Sequence, residues 1–205
     1  MREWLWPTRC AGCGVEGRGA VCSGCVPPAV HRAPVPVGSV QGAFVLTGWD
    51  QPLGRALATA KYGNHRALMA SLAAAFADRM APALNGHPFD AIVPVPSAWT
   101  RRVSRGFSPA ALMSHALSRR VGVPWVSALT MQRGAKQATL RAPMRHLNLR
   151  GRVRSVRSVP GTVLLVDDIW TTGATLDACT RELLGDRTEA VWVAALCTRR
   201  PDDQS

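Results

Sequence analysis

The apolar run Val163-Leu164-Leu165-Val166 leads straight into Asp167-Asp168-Ile169-Trp170 and then Thr171-Thr172-Gly173-Ala174-Thr175. These residue types suit two kinds of contact. Small hydroxyl residues around one glycine let backbone N–H groups converge on an anion at a helix start, where the helix dipole also favours negative charge. Two carboxylates cannot take that same anion. They suit neighbouring sugar hydroxyls, or a Mg²⁺ ion that bridges to further phosphate. A phosphorylated ribose carries both features in one molecule, and the run predicts a site for such a ligand. Taken piece by piece it has plainer readings, a solvated acidic turn and an ordinary helix start; the order of the pieces is what points to chemistry.

Cys10-Ala11-Gly12-Cys13 and Cys22-Ser23-Gly24-Cys25 are two Cys-x-x-Cys knuckles eight residues apart. Tetrahedral Zn²⁺ takes four thiolates at about 2.3 Å, and glycine beside the cysteines lets one turn aim two sulfurs at one ion. Cys10, Cys13, Cys22 and Cys25 are therefore expected to hold a structural zinc. Disulfides or redox pairs are the alternative, but they go with an export signal or a thioredoxin-like setting, and the sequence shows neither. Cys179 and Cys197 fall in a predicted helix and strand and are expected in the core. The stretch through Pro27, Pro28, Pro34 and Pro36 reads as a stiff linker, and His31 inside it reads as a linker residue before it reads as a substitute metal ligand. This divides the chain into a zinc head and linker over 1–36 and a larger domain over 37–205.

The elements that must position the acidic run are legible between these motifs. A strand is expected at Gly42 to Gly48, with helices at Pro52 to Tyr62 and Arg66 to Ala81. A strand from Phe89 runs into the loop Val95-Pro96-Ser97, and Asp167-Asp168 is expected to end its own strand. Ser108-Pro109 supplies a cap and a first-turn proline for a helix to about Arg120. Further short strands near Trp125, Leu164 and Trp192 alternate with helices, which argues an α/β fold with a mostly parallel, doubly wound sheet. Ligands of such sheets sit at the carboxyl ends of the strands, where both Ser97 and Asp167-Asp168 fall. Trp99 and Trp125 could add stacking to bound DNA, but their apolar neighbours favour packing in the core.

The formal net charge is +12, and of 25 basic residues only Lys61 and Lys136 are lysine. Between Ala91 and Val166 there is no Asp or Glu, while thirteen Arg or Lys residues run from Arg101 to Arg157. Such a block repels itself unless polyanions or counterions are near, so nucleic acid is a reasonable second ligand. No Gly-x-x-x-x-Gly-Lys-Ser/Thr loop occurs, so P-loop functions lack their residues. No apolar run reaches the roughly 20 residues of a membrane span. With no secretory signal, the expected location is cytoplasmic.

The run from Val166 through Thr175 resembles the 5-phosphoribosyl-1-pyrophosphate (PRPP) motif of type I phosphoribosyltransferases. Lys61-Tyr62-Gly63, Val93-Pro94-Val95-Pro96, Arg105-Gly106-Phe107 and the spaced Gln137, Leu140, Arg145 and Asn148 precede it. Together with the four-cysteine head, they give the chain a resemblance to the competence-protein ComF family over nearly its whole length. Ser108-Pro109 replaces a common Asn-Gln, and Lys136 is basic where a neutral or acidic residue is common. The resemblance implies a zinc-finger head on a phosphoribosyltransferase-like domain, linked to DNA uptake in natural transformation. It implies that Thr171, Thr172, Gly173, Ala174 and Thr175 grip the 5-phosphate of PRPP. Asp167 and Asp168 would hold its ribose, directly or through Mg²⁺, as the catalytic residues. Ser97, Arg101 and Arg105 would face pyrophosphate. Implied partners are PRPP, single-stranded DNA and DNA-uptake proteins. No acceptor is named by any motif. The function is thus either phosphoribosyl transfer to an unknown acceptor or a non-catalytic, PRPP-responsive module that binds single-stranded DNA.

Overall fold

Apolar residues at every position of a strand, rather than at every second one, require cover on both faces. Val163, Leu164, Leu165 and Val166 are all fully buried, and they divide between two cores. The structure is a computed structural model that describes residues 9–16, 19–33, 40–98, 103–132, 152–184 and 187–199. Its strands are β1 (His31–Ala33), β2 (Gly42–Gly48), β3 (Ala91–Pro94), β4 (Leu129–Met131), β5 (Val153–Ser155), β6 (Gly161–Trp170) and β7 (Thr188–Thr198). The helices are α1 (Pro52–Tyr62), α2 (Arg66–Ala83), α3 (Pro109–Val121) and α4 (Ala174–Leu183).

The main sheet has the order β1-β2-β7-β6-β3. Strands β2, β7, β6 and β3 run parallel, and β1 pairs antiparallel with β2 at one edge. This is the mostly parallel α/β sheet that the alternation of elements predicts. Leu164 and Val166 turn toward α1, α2 and α3 and pack with Leu57, Phe76 and Met113. Val163 and Leu165 turn the other way, toward Leu176, Cys179 and Leu183 of α4 and toward the β4–β5 ribbon. Burying both faces in this way gives three layers, and among the described residues no helix or strand covers the sheet's carboxyl edge.

Three local features differ from expectation. Part of the expected linker, His31–Ala33, is strand β1, because its backbone pairs with the edge of β2. The acid pair does not end β6. The strand continues to Trp170 because β7 keeps pairing with it through Ile169↔Cys197 and Trp170↔Thr198. Trp125 forms a parallel bridge to Ile92, which places it just outside β3. The α3 cap is as the sequence implies, with Ser108 Oγ accepting from Ala111 N at 3.4 Å and Pro109 in the first turn.

The placement of α1 depends on one close approach. Gly54 is buried in α1, and a Cβ there would collide with the backbone carbonyl of Trp49. In an ordinary exposed helix, Ala in place of Gly adds about 1 kcal/mol of stability. Here the expected sign reverses: Gly54→Ala should destabilise the fold by about 1–3 kcal/mol through overpacking, as read by urea unfolding.

Candidate ligand site and metal centre

Hydrogen bonds between strand ends align the residues at the open edge of the sheet. Val95 N donates to Val166 O, Arg199 N to Trp170 O and Trp49 N to Thr198 O, each at 2.8 Å. At about 4.8 Å per strand, β2 and β3 lie roughly 14 Å apart across this edge. Between them is a cavity of about 550 Å³ lined by Ser97, Arg105, Asp167, Asp168, Thr171 and Thr175, together with Lys61, Arg152, Arg199, Trp49 and Tyr62.

The two carboxylates face different surroundings because consecutive strand residues alternate. Asp168 turns toward α1 and forms a buried ion pair with Lys61, the two residues being 9% and 8% exposed. Asp167 lies toward α4; burial first, and then the Asp168 charge, push its carboxyl well above the usual range. Its Oδ1 accepts from Asp168 N at 2.8 Å. The thiols report this division. Burial raises both Cys179 and Cys197; the next cause at Cys179 is the Asp167 charge, whereas Cys197, pushed up to about 12, feels Lys61 and Asp168.

Beyond Asp168, the chain reaches α4 through Gly173, whose φ of +81° is a left-handed turn that favours glycine. No side chain caps α4. Its first N–H groups thus lack a side-chain acceptor at the positive end of the helix dipole. Thr171 and Thr175 line the cavity, and Gly173 is buried in the turn between them. On the β3 side, Ser97 Oγ and Ser108 Oγ are 2.9 Å apart, so the loop after β3 is tied to the α3 cap.

Of the residues expected at the ligand, Ser97, Arg105, Asp167, Asp168, Thr171 and Thr175 meet around this cavity. Thr172, Gly173 and Ala174 complete the turn. Arg101 lies outside the described residues, as do Arg133, Lys136, Gln137, Leu140, Arg145 and Asn148. Lys61, Arg152 and Arg199 had no assigned role. Lys61 carried a readable signal: it follows Leu53 and Leu57 at four-residue steps, on the buried stripe of α1. Arg152 has a buried Nε with no hydrogen-bond partner among the described residues.

The four cysteines of the head form a second centre. Their sulfurs all lie within 4.8 Å of one another, at 3.6 Å for Cys10–Cys25, 3.7 Å for Cys13–Cys22 and 3.5 Å for Cys22–Cys25. A tetrahedron with metal–sulfur bonds of about 2.3 Å has edges of about 3.8 Å, so the set fits one metal ion. Burial opposes ionisation of Cys10, but N–H groups of Cys22, Cys13 and Gly12 and the Cys25 thiol outweigh it and bring it down to about 6. Burial and then the Cys13, Cys22 and Cys10 sulfurs push Cys25 up. Four thiols without a cation cannot all ionise at such distances, and a divalent ion removes that conflict. The head is joined to the larger domain where Arg55 Nε of α1 donates to Gly12 O at 3.2 Å.

An α/β sheet with an acid pair and a glycine-turned helix start at its carboxyl edge, preceded by a four-thiol centre, defines the class: a mostly parallel α/β protein with a four-cysteine head. No family model matches the sequence. The DNA utilization protein YhgH of Salmonella typhi is 31% identical over 204 residues, covering 92% of this chain and 89% of the relative. Its Escherichia coli namesake is 38% identical over 111 residues, 53% of this chain and 49% of that protein. The chain belongs to this ComF-like YhgH family. Among solved structures, adenine phosphoribosyltransferase of Thermoanaerobacter pseudethanolicus aligns with a TM-score of 0.40 and 21% identity, over 63% of this chain and 82% of that one. UMP synthase of Leishmania donovani also gives 0.40 and 21%, over 72% of this chain and 24% of its own.

Removing one member of a buried ion pair leaves the other charge uncompensated. Lys61→Met should cost about 3 kcal/mol, and adding Asp168→Asn should recover most of it. Thermal unfolding of the two single variants and the double variant tests the coupling.

Proposed function

We propose that the cavity at the carboxyl edge of the sheet binds PRPP together with Mg²⁺. The observation that carries this reading is the convergence on one cavity of two acidic residues, an uncapped helix start and arginines that form no ion pair among the described residues. The α4 turn, with Thr171 and Thr175, would take the 5-phosphate. Asp167 and Asp168 would take the ribose hydroxyls or the cation, an oxygen-only set that suits a hard ion such as Mg²⁺. Bound there, Mg²⁺ would neutralise phosphate charge. Arg105 and Arg152 would face pyrophosphate, and the buried Nε of Arg152, without a partner among the described residues, would gain an acceptor there.

In transfer, the bond from the ribose anomeric carbon to a pyrophosphate oxygen breaks, the bond to the acceptor forms and the acceptor loses a proton. Arginines that stabilise the departing anion and a site that holds the ring in line lower the barrier for that exchange. The name of the relatives supports a place for this protein in the use of DNA. The two readings of the site, transferase and PRPP-responsive module, share the same ligand. Assays of PRPP consumption and pyrophosphate release against nucleobases, amines and DNA separate them.

Calorimetry with PRPP and Mg²⁺ tests the ligand. Arg152→Gln should weaken binding about tenfold, the worth of one charged hydrogen bond. Asp168→Asn should also weaken it, and Thr171→Ala should do less because backbone N–H groups carry most of the phosphate contact. Equal affinity in wild type and in the Asp167→Asn/Asp168→Asn variant would refute the assignment.

The head is proposed to hold one structural zinc through Cys10, Cys13, Cys22 and Cys25. Protein purified without added metal should contain one zinc per chain, and chelation should lower the unfolding temperature. A folded, metal-free head with cysteines paired as disulfides is the outcome that rules this out.

A further inference from the structure

Four basic side chains line the candidate cavity: Lys61, Arg105, Arg152 and Arg199. Among the described residues only Lys61 is paired with an acid, and that acid is Asp168. Lys61 closes the buried stripe that Leu53 and Leu57 begin on α1, where an apolar side chain would continue the packing. An ammonium is a strongly hydrated point charge, and a buried ion pair is a weak source of stability compared with apolar packing of the same volume. The pair is therefore poorly explained by stability alone. Its place in the molecule suggests another role, because Lys61, Asp167 and Asp168 all line one cavity.

An ammonium in contact with Asp168 stands where a metal ion bound to that carboxylate would have to stand. Two cations at such a distance repel, and the more strongly the less water lies between them. The lysine differs from a metal in being tethered. Its four-carbon stem and three donors let it move from a carboxylate to a phosphate oxygen without leaving the cavity. The turn behind it is joined to the opposite wall. Asn64, with a left-handed φ of +54°, donates from Nδ2 to Ser104 O at 3.3 Å, one residue before Arg105. Lys61 and Arg105, two cations that an incoming anion would meet, are thus held on one connected frame.

We propose that Lys61 is the resident counter-cation of Asp168: it keeps divalent ions off that carboxylate until a phosphate group of the ligand takes the ammonium, so the metal enters with the ligand and not before it. The inference rests on the reading of this cavity as a site for PRPP with a divalent ion. Its first half, the exclusion of metal by Lys61, is tested with metal alone.

Mn²⁺ is the probe, since it prefers oxygen ligands to the thiolates of the head and its free form is counted by electron paramagnetic resonance. The full-length wild type should take up little Mn²⁺ by itself. Lys61→Gln removes the charge and should bind Mn²⁺ at least about tenfold more tightly. Lys61→Arg keeps a cation and should behave as wild type. Lys61→Gln/Asp168→Asn should lose the gained affinity, which places the ion at Asp168. Mn²⁺ should also raise the unfolding temperature of Lys61→Gln and leave that of wild type unchanged, a response that a purely structural lysine does not give. With PRPP present, the wild type should take up Mn²⁺. Mn²⁺ bound by wild type alone as tightly as by Lys61→Gln, or no Mn²⁺ bound by Lys61→Gln, overturns the proposal. Absence of PRPP binding in calorimetry, with the Mn²⁺ gain intact, removes the PRPP reading and the handover with it but leaves the exclusion of metal standing. PRPP binding without any Mn²⁺ gain does the reverse.

Discussion

Neighbouring residues of a strand point to opposite faces, and two consecutive aspartates on β6 make the open edge of this sheet depend on that rule. Asp168 turns into the layer of α1, where it pairs with Lys61; Asp167 turns into the layer of α4 and forms no ion pair among the described residues. The site is therefore built from both helical layers at once. Desolvation makes an ionised Asp167 costly, while Asp168 has the Lys61 ammonium beside it. Two acids that look equivalent in the sequence thus differ in what they can give a ligand: one is already paired, and the other gains from any cation brought to it.

Much of the fold was legible because its signals are local. Ser108-Pro109 announced α3, the four-residue apolar run announced a strand covered on both faces, and the two Cys-x-x-Cys pairs announced four sulfurs around one point. What was missed depends on contacts between distant segments. β6 outlasts its apolar run because β7 is still there to pair with it. His31–Ala33 becomes a strand because β2 has a free edge, although the surrounding prolines read as a linker. Trp125 has the neighbours of a core residue, but it stands at the margin of the sheet, where it stays partly exposed among the described residues. In the candidate site, the acid pair, the threonine turn, Ser97 and Arg105 were readable from motif order. Arg152 and Arg199 were not, since a single arginine in a basic chain carries no mark of which way it points.

The head and the sheet are mechanically connected through α1. Arg55, one turn into that helix, binds the backbone beside Cys13, while Lys61 near its other end reaches Asp168. Val21, Val26 and Val30 of the head segment also pack against the core that α1 helps form. The cysteine centre is thus part of the support of the helix that supplies the buried cation, and the two centres share one rigid element.

The edges of the sheet carry a consequence for association between molecules. A parallel sheet with a bare margin is a template on which another chain can add a strand. On one side the three-residue β1 closes that margin, with His31 and Arg32 exposed on a ladder too short to recruit a long partner. On the other, the Trp125 segment occupies the backbone of Ile92 on the outer side of β3. Both ends of the ladder are terminated by short pieces of the same chain, so the protein carries its own protection against growth into sheet-linked aggregates.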